Sequence, residues 1–449
     1  MSENLYQPFT SVAQSDHIPF VDSTARFTIL QETNSDSLRS SNENIGKILY
    51  IGASFLVMFT AFNSANNLVS EIYDQLDYQS LGQLSSLVLC FATLPVILFP
   101  GFMDRWSHKN AVFVGSLGFI FTFFAGAMTT ICAEDSSHSW CQKRSYIYTI
   151  NIICAIINGF FSGILWISVN RYITACSNRA NEGRFMGIFS ALFSCSNVTG
   201  SIVAAYVLKH FGQFHFYLTA SGISILAILM VYFAPDVNRY DEKESEQLSF
   251  REKSLKVIKL SYSPKMRTFL LFLIFVGIVC AISAGFEYKI VLSTIPNMSK
   301  EDQNATTAWV FMVQGLVTII FSYVVGDLAD MFKLSYVVNG FLMTNFLAIG
   351  LSFLAYYLQN LVLAYVMAGF WGLAFSSTAT LTGIVMMKDF HGSLESFALL
   401  QLLNNFATVL GYGMCIYITD IVTFLYVMLG FLIITQFSTL LYKSKEVKI

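Results

Sequence analysis

Pro100-Gly101-Phe102-Met103-Asp104-Arg105-Trp106-Ser107-His108-Lys109 is answered much later in the chain by Gly326-Asp327-Leu328-Ala329-Asp330-Met331-Phe332-Lys333. Each is a short turn with a small residue, an Asp and a base, set between long apolar stretches. The small residue lets two helices approach closely, and the Asp can meet a neighbouring helix N-terminus or a basic side chain and latch one conformation. One such turn is common; its recurrence at corresponding places is what decides the fold. Around the first copy, apolar stretches run near 46–70, 80–103, 111–132, 146–169, 184–208 and 213–234. Around the second they run near 267–292, 305–327, 335–357, 361–387, 394–418 and 420–442. Each stretch approaches or exceeds the roughly 20 residues a membrane-crossing helix needs. In both sets the turn follows the second stretch, which predicts an all-α membrane protein of twelve transmembrane helices in two pseudo-symmetric six-helix bundles.

Composition agrees. Of 449 residues, 55% are hydrophobic and only 12% charged, against about a quarter charged in soluble domains. The 26 Lys+Arg and 28 Asp+Glu leave no basic excess to attract nucleic acid. Eight Cys without paired short spacings argue against a zinc site or a disulfide scaffold. No nucleophile–base arrangement, metal-ligand cluster or phosphate loop is visible, so an enzyme is the weakest class, and neither metal nor cofactor is expected. The polar residues 1–45 lack a signal-peptide core and read as a disordered cytosolic tail. The bundles then occupy 46–234 and 267–442, joined by a cytosolic linker, 235–266, and followed by a short cytosolic tail, 443–449.

The positive-inside rule sets the orientation. With both termini in the cytosol, every basic residue falls on the inner side except Lys143, Arg144, Lys209, Lys289 and Lys300. The same topology places the sequons Asn297-Met298-Ser299 and Asn304-Ala305-Thr306 outside, as glycan acceptors. A third, at Asn197, lies within a span and should be unused. Cys132 and Cys141 share an outer loop, where an oxidising compartment permits a disulfide. In the linker, Phe250 to Leu260 mixes basic and apolar residues, as an interfacial helix at the anionic inner leaflet would. Plasma membrane and endomembrane both remain open.

The two turns resemble the Gly-x-Leu-x-Asp-Arg-x-Gly-Arg-Arg loop of the major facilitator superfamily, with Pro100 replacing the leading Gly in one copy and Met331 the Arg in the other. Within that superfamily, Phe59-Thr60-Ala61-Phe62-Asn63-Ser64-Ala65-Asn66-Asn67-Leu68 resembles the first span of the Unc-93-like family. Leu81-Gly82-Gln83-Leu84-Ser85, Gly163-Ile164-Leu165-Trp166, Gly183-Arg184-Phe185-Met186-Gly187 and Ser396-Phe397-Ala398-Leu399 resemble its second, fourth, fifth and eleventh. Gly372-Leu373-Ala374-Phe375 lacks the Asp and Gln usual in the family's tenth span. The resemblance implies either a transporter of unassigned substrate or a non-transporting partner of an ion channel or membrane receptor.

A carrier of this fold lines a midplane cavity from spans one, four, seven and ten, where buried polar groups are costly. Span one supplies Thr60, Asn63 and Asn67 on one helical face; span four supplies Asn151, Asn158 and Ser162. Span seven offers Ser283 and Glu287, and span ten Ser376, Ser377 and Thr380. Against this stands the plainer role of Asn, Ser and Thr as glue between helices. Glu287 falls about 30 Å along its helix from Arg267, near the outer mouth, where a rim ion pair with Lys289 or a solvated position is expected rather than a proton relay. Span eleven carries Gln401, Asn404, Asn405 and Thr408 on one face, which sequence leaves open to a cavity, another helix or a membrane partner. Asp104 with Arg105 and Asp330 with Lys333 are the expected latches of one conformation. The expected partners are the lipid bilayer and either a small-molecule substrate or a channel or receptor.

Overall fold

The computed structural model describes residues 44–442 apart from 67–68, 70–72, 74–75, 79–80, 99, 135–140, 142, 179, 238–249, 283–285, 299 and 419. Contacts divide the chain into units 1–44 and 45–449, and the second carries the helical body. Among the described residues all regular structure is helical. Nine helices there are long and apolar enough to cross a membrane, or ten if one sharply bent pair counts as a single span. The molecule is an integral, multi-pass membrane protein, and its outer surface fits that solvent. Ile202, Tyr206, Leu347, Val362 and Phe437 are each more than half exposed, an arrangement lipid accepts and water does not.

The first span is α1 (Asn44–Asn66). The second is broken into α2 (Leu81–Ala92) and α3 (Leu94–Leu98), followed by a 3-10 turn, Pro100–Arg105. The third comprises α4 (His108–Ser116) and α5 (Phe119–Glu134), and the fourth is α6 (Arg144–Cys176). Spans five and six, Glu182–Leu208 and His210–Tyr232, follow each other across a kink and are labelled together as α7 (Glu182–Tyr232). Its single non-helical joint is Gly212, at φ 81° and ψ −178°, a backbone conformation that glycine adopts without a Cβ clash.

The linker contains α8 (Phe250–Ser261), which meets α9 (Pro264–Ile282) at an 80° bend. It buries Lys253 and Val257 while exposing Leu255, Ile258 and Tyr262 beside Arg251, Lys256 and Lys259. The seventh span continues as α10 (Tyr288–Ser293), with Phe286 and Glu287 in a π-helical turn. Then follow α11 (Lys300–Met331), α12 (Leu334–Leu358), α13 (Leu361–Phe390), α14 (Leu394–Tyr417) and α15 (Ile421–Leu440).

Capping explains the sharp starts of the last three. Asn360, Ser393 and Asp420 each accept a backbone N–H from the first turn of the helix they precede, satisfying donors the helix cannot. α13 ends through His391 and Gly392, at φ 63° and 56°. The first six spans meet the last six where α7 packs along α11 and α13, and where α14 packs against α2, α3 and α6.

Candidate functional site

The α7–α11 interface closes at the turn that opened the sequence argument. Asp330, in the last turn of α11, reaches the start of α7, where its carboxylate accepts from the backbone N–H of Gly183 at 2.9 Å and of Arg184 at 2.7 Å. These are among the N–H groups that an α-helix leaves unpaired at its positive end. Lys388, from the last turn of α13, donates to Asp330 Oδ1 at 2.6 Å and to the Ala329 carbonyl at 2.8 Å. Both partners of the ion pair are nearly enclosed, so solvent screens it little, and charge-assisted bonds of this kind are the stronger class.

Glycine makes the approach possible. A Cβ on Gly183 would stand 2.3 Å from the carbonyl oxygen of Gly326, and one on Gly326 would stand 2.3 Å from that of Gly183. The two helices therefore cross backbone to backbone, and the halves are clasped at that end.

Sequence named Lys333 as the cation of this copy; the structure shows Lys388 on the Asp330 carboxylate, a cation that the sequence reading did not offer. Lys333 precedes α12 and starts a new helix, whereas Lys388 extends from the neighbouring span. In the first copy Asp104 falls in the 3-10 turn with its side chain outside the described residues, and Arg105 is exposed. The α14 interface is joined by Asn405, whose amide donates to Thr93 Oγ1 at 2.9 Å.

A second polar cluster escaped the sequence reading. Lys265 at the start of α9 lies 2.7 Å from Asp389 Oδ1, and the Tyr442 hydroxyl donates to Asp389 Oδ2. This buried carboxylate ties together α9, α13 and the segment after α15. The adjacent, opposite charges Lys388-Asp389 at a span end were the available signal.

The cavity candidates divide. Thr60 and Asn63 face α7: the hydroxyls of Thr60 and Thr199 meet at 2.6 Å, and Asn63 donates to Ser196 Oγ at 3.0 Å and Asn197 Oδ1 at 2.8 Å. Beside them Phe59 packs against Phe193, Trp166 and Phe119, with centroids 4.8–5.4 Å apart. Asn67 and Ser283 lie outside the described residues. Asn158 is wholly buried and donates to Thr122 Oγ1 at 2.6 Å, leaving its Oδ1 unpaired. Ser162 and Thr380 are buried, and Ser376 and Ser377 donate to carbonyls of their own helix. The polar face of α14 points into the bundle, toward Thr93 and, through Thr408, the Gly277 carbonyl.

Asn151 accepts from Tyr73 at 2.8 Å and donates to Thr129 at 2.9 Å. It borders a cavity of about 40 Å³, with Ser85, Thr122 and Tyr217 also in its wall, room for water rather than a larger ligand.

Glu287 overturns its expectation. It is neither solvated nor paired with Lys289: its exposure is 0%, and Gln314 donates to its Oε2 at 2.9 Å. Lys289 is exposed, with its ammonium 4.9 Å from the centroid of the Phe286 ring. Counting rise along an unbroken helix placed Glu287 at the mouth, but neighbouring helices enclose the π-helical turn that carries it.

Asn297 occupies an exposed turn, whereas Asn304 falls within α11 rather than a loop. Cys132 and Cys141 are joined, with Cα atoms 5.0 Å apart. No group of three or more metal-ligating side chains occurs among the described residues.

The family profile described as Major Facilitator Superfamily matches residues 50–412. UNC93-like protein 3 of Arabidopsis thaliana is 25% identical over 193 residues, covering 40% of this chain and 36% of that protein. Protein unc-93 homolog A of Mus musculus is 25% identical over 177 residues, covering 36% and 34%. The matched stretches thus span about a third of those relatives, and both carry the Unc-93 resemblance read from the sequence. In structure, a variant of the E. coli fucose:proton symporter FucP superposes with a TM-score of 0.65 at 13% identity, over 90% of this chain and 100% of that one.

Proposed function

The chain belongs to the Major Facilitator Superfamily, a membrane transporter family, and from that membership we propose that it moves a small molecule across the bilayer by alternating access. Its Unc-93-like character leaves the substrate unnamed. The observation that carries the reading is the clasp of Asp330 with the start of α7 and Lys388. It joins the halves at one end through a few charge-assisted bonds, which a rocking motion can break and remake. In this reading the bundles are 46–234 and 267–442, both termini are cytosolic, and the clasp closes the cytosolic mouth. Asn297 then faces outward as the glycan acceptor.

The test compares wild type with Asp330→Asn in purified form, by ligand-induced thermal shift and by the distance between spin labels at Ala180→Cys and Phe332→Cys. Loss of the charge removes about 2 kcal/mol from the closed state, roughly thirtyfold in the closed-to-open ratio. The label distance should therefore lengthen. An unchanged distance, with no small molecule shifting the melting temperature, would remove the reading.

A second reading has one specific observation behind it. Asn63, the leading cavity candidate, bonds to α7 beside a packed aromatic cluster, as in a protein that keeps the fold to hold a channel or receptor. Stoichiometric co-purification of such a partner, without ligand response, would favour it.

A further inference from the structure

We propose that the exposed face of α8 is a docking surface for anionic phospholipid headgroups, so that the linker between the two sets of six spans rests on the membrane rather than in solvent. It stands apart from the transport reading, and the two fail separately.

Geometry puts α8 at the right depth. It meets α9, the start of the seventh span, at an 80° bend, where the chain turns through Tyr262 and Ser263. Spans tilt on average about 20° from the membrane normal, so a helix bent 80° from one lies within about 30° of the membrane plane. It does so where the span leaves the hydrocarbon. Its twelve residues extend about 18 Å along that surface. Lys265, just past the bend, holds Asp389, the chain neighbour of Lys388, which sets α8 at the clasp end of the molecule. With cytosolic termini, that end faces the anionic leaflet.

The two faces of α8 differ in kind. Lys253 and Val257 are buried and Leu260 packs against the core, where α8 meets the 3-10 turn Pro100–Arg105 and α14. Their spacing of four and three is that of one helical face. This contact fixes the rotation of the helix. The opposite face carries Leu255, Ile258 and, in the bend, Tyr262, all exposed, whereas a helix bathed in water on that side presents polar residues there.

Charge selects the lipid. Arg251 and Lys259 flank Leu255 four residues before and after it, and Lys256 borders them. Arg267, in the first turn of the seventh span, adds a fourth base beside the bend. All four are exposed, and no ion pair engages them among the described residues. Glu252 is the one acid of α8, so the face keeps a positive surplus. Apolar side chains interleaved with bases match a headgroup layer, where the former reach the acyl boundary and the latter meet phosphates. Tyr262 stands where interfacial tyrosines collect. Place favours lipid over an acidic protein, because lipid already abuts the span to which α8 is joined.

The test uses the full chain in nanodiscs of phosphatidylcholine with and without phosphatidylserine. A spin label at Ile258→Cys should meet oxygen, which concentrates in lipid, more often than a water-soluble nickel chelate. The protein should retain phosphatidylserine in preference to phosphatidylcholine, and the preference should fall as salt is raised. Each base near an anionic surface favours binding about fivefold. The preference should therefore drop by about that factor or more in the triple variant Arg251→Gln, Lys256→Gln, Lys259→Gln, and survive in the charge-conserving Arg251→Lys, Lys256→Arg, Lys259→Arg. A label that meets mainly the nickel chelate in both discs, as it would if an acidic protein were the natural occupant, overturns the proposal. So does a phosphatidylserine preference that is missing from the wild type or is kept by the triple Gln variant.

Discussion

Asn63 shows how spacing can put a polar residue on a helical face while leaving its partners unread. Its spacing from Thr60 puts both on one face, but that face meets Ser196, Asn197 and Thr199 on α7. Interhelical bonds in membranes are worth about 0.6 kcal/mol each on average. Asn63→Ala should therefore cost about 1 kcal/mol, lowering the melting temperature slightly in detergent without altering any ligand-induced shift. An abolished ligand shift would return Asn63 to the binding site. Asp389 has higher stakes, because it is buried against both Lys265 and Tyr442. Asp389→Asn leaves a lysine without its counter-charge, and we expect a loss of roughly 3 kcal/mol, seen as a markedly earlier thermal transition with the overall helix content retained.

At the scale of elements, two glycines do different things. Gly326 permits contact: with a Cβ 2.3 Å from the Gly183 carbonyl oxygen, Gly326→Val forces α7 and α11 apart. It should reproduce the longer label distance of Asp330→Asn although every charge of the clasp is intact. Gly212 permits a backbone angle, having no atom within 4 Å of a Cβ there. Gly212→Ala meets conformational strain alone, costs about 1–2 kcal/mol, and should lower thermal stability while leaving the clasp distance unchanged. Together the pair separates crowding from strain, since a label distance that moved in both variants would contradict the division. α8 adds a third case: it buries Lys253 and Val257 on one face and exposes Leu255 and Ile258 beside Arg251, Lys256 and Lys259 on the other, so the linker contains a packed helix rather than a plain tether.

Over the whole molecule, the first six spans meet the last six along α7–α11 and α14–α2/α3, and rocking about such contacts is what alternating access demands. Joining Ala180→Cys and Phe332→Cys with a bifunctional maleimide should hold the clasp end closed. Flux in proteoliposomes should then fall to background while ligand binding persists; undiminished flux would mean that this end need not open.

The apolar spans and the paired turns were legible because crossing a membrane requires a run of apolar residues whatever its neighbours are. Charge scarcity, turn chemistry and the small residue in each repeat are likewise local properties. Partners were not legible. Asp330 announced itself as a latch, but Lys388 lies 58 residues away in the chain, and only packing brings α13 beside α11. Glu287 was placed by counting along an unbroken helix, and the π-helical turn and the enclosing spans put it out of solvent's reach. Which way Asn63 faces, which cation Asp330 holds and whether Glu287 meets water depend on how helices distant in sequence rotate and press together. Sequence by itself settled which segments enter the membrane, because that is set by transfer of each segment from water to lipid; the tertiary structure decided which polar atoms meet, because that is set by packing between them.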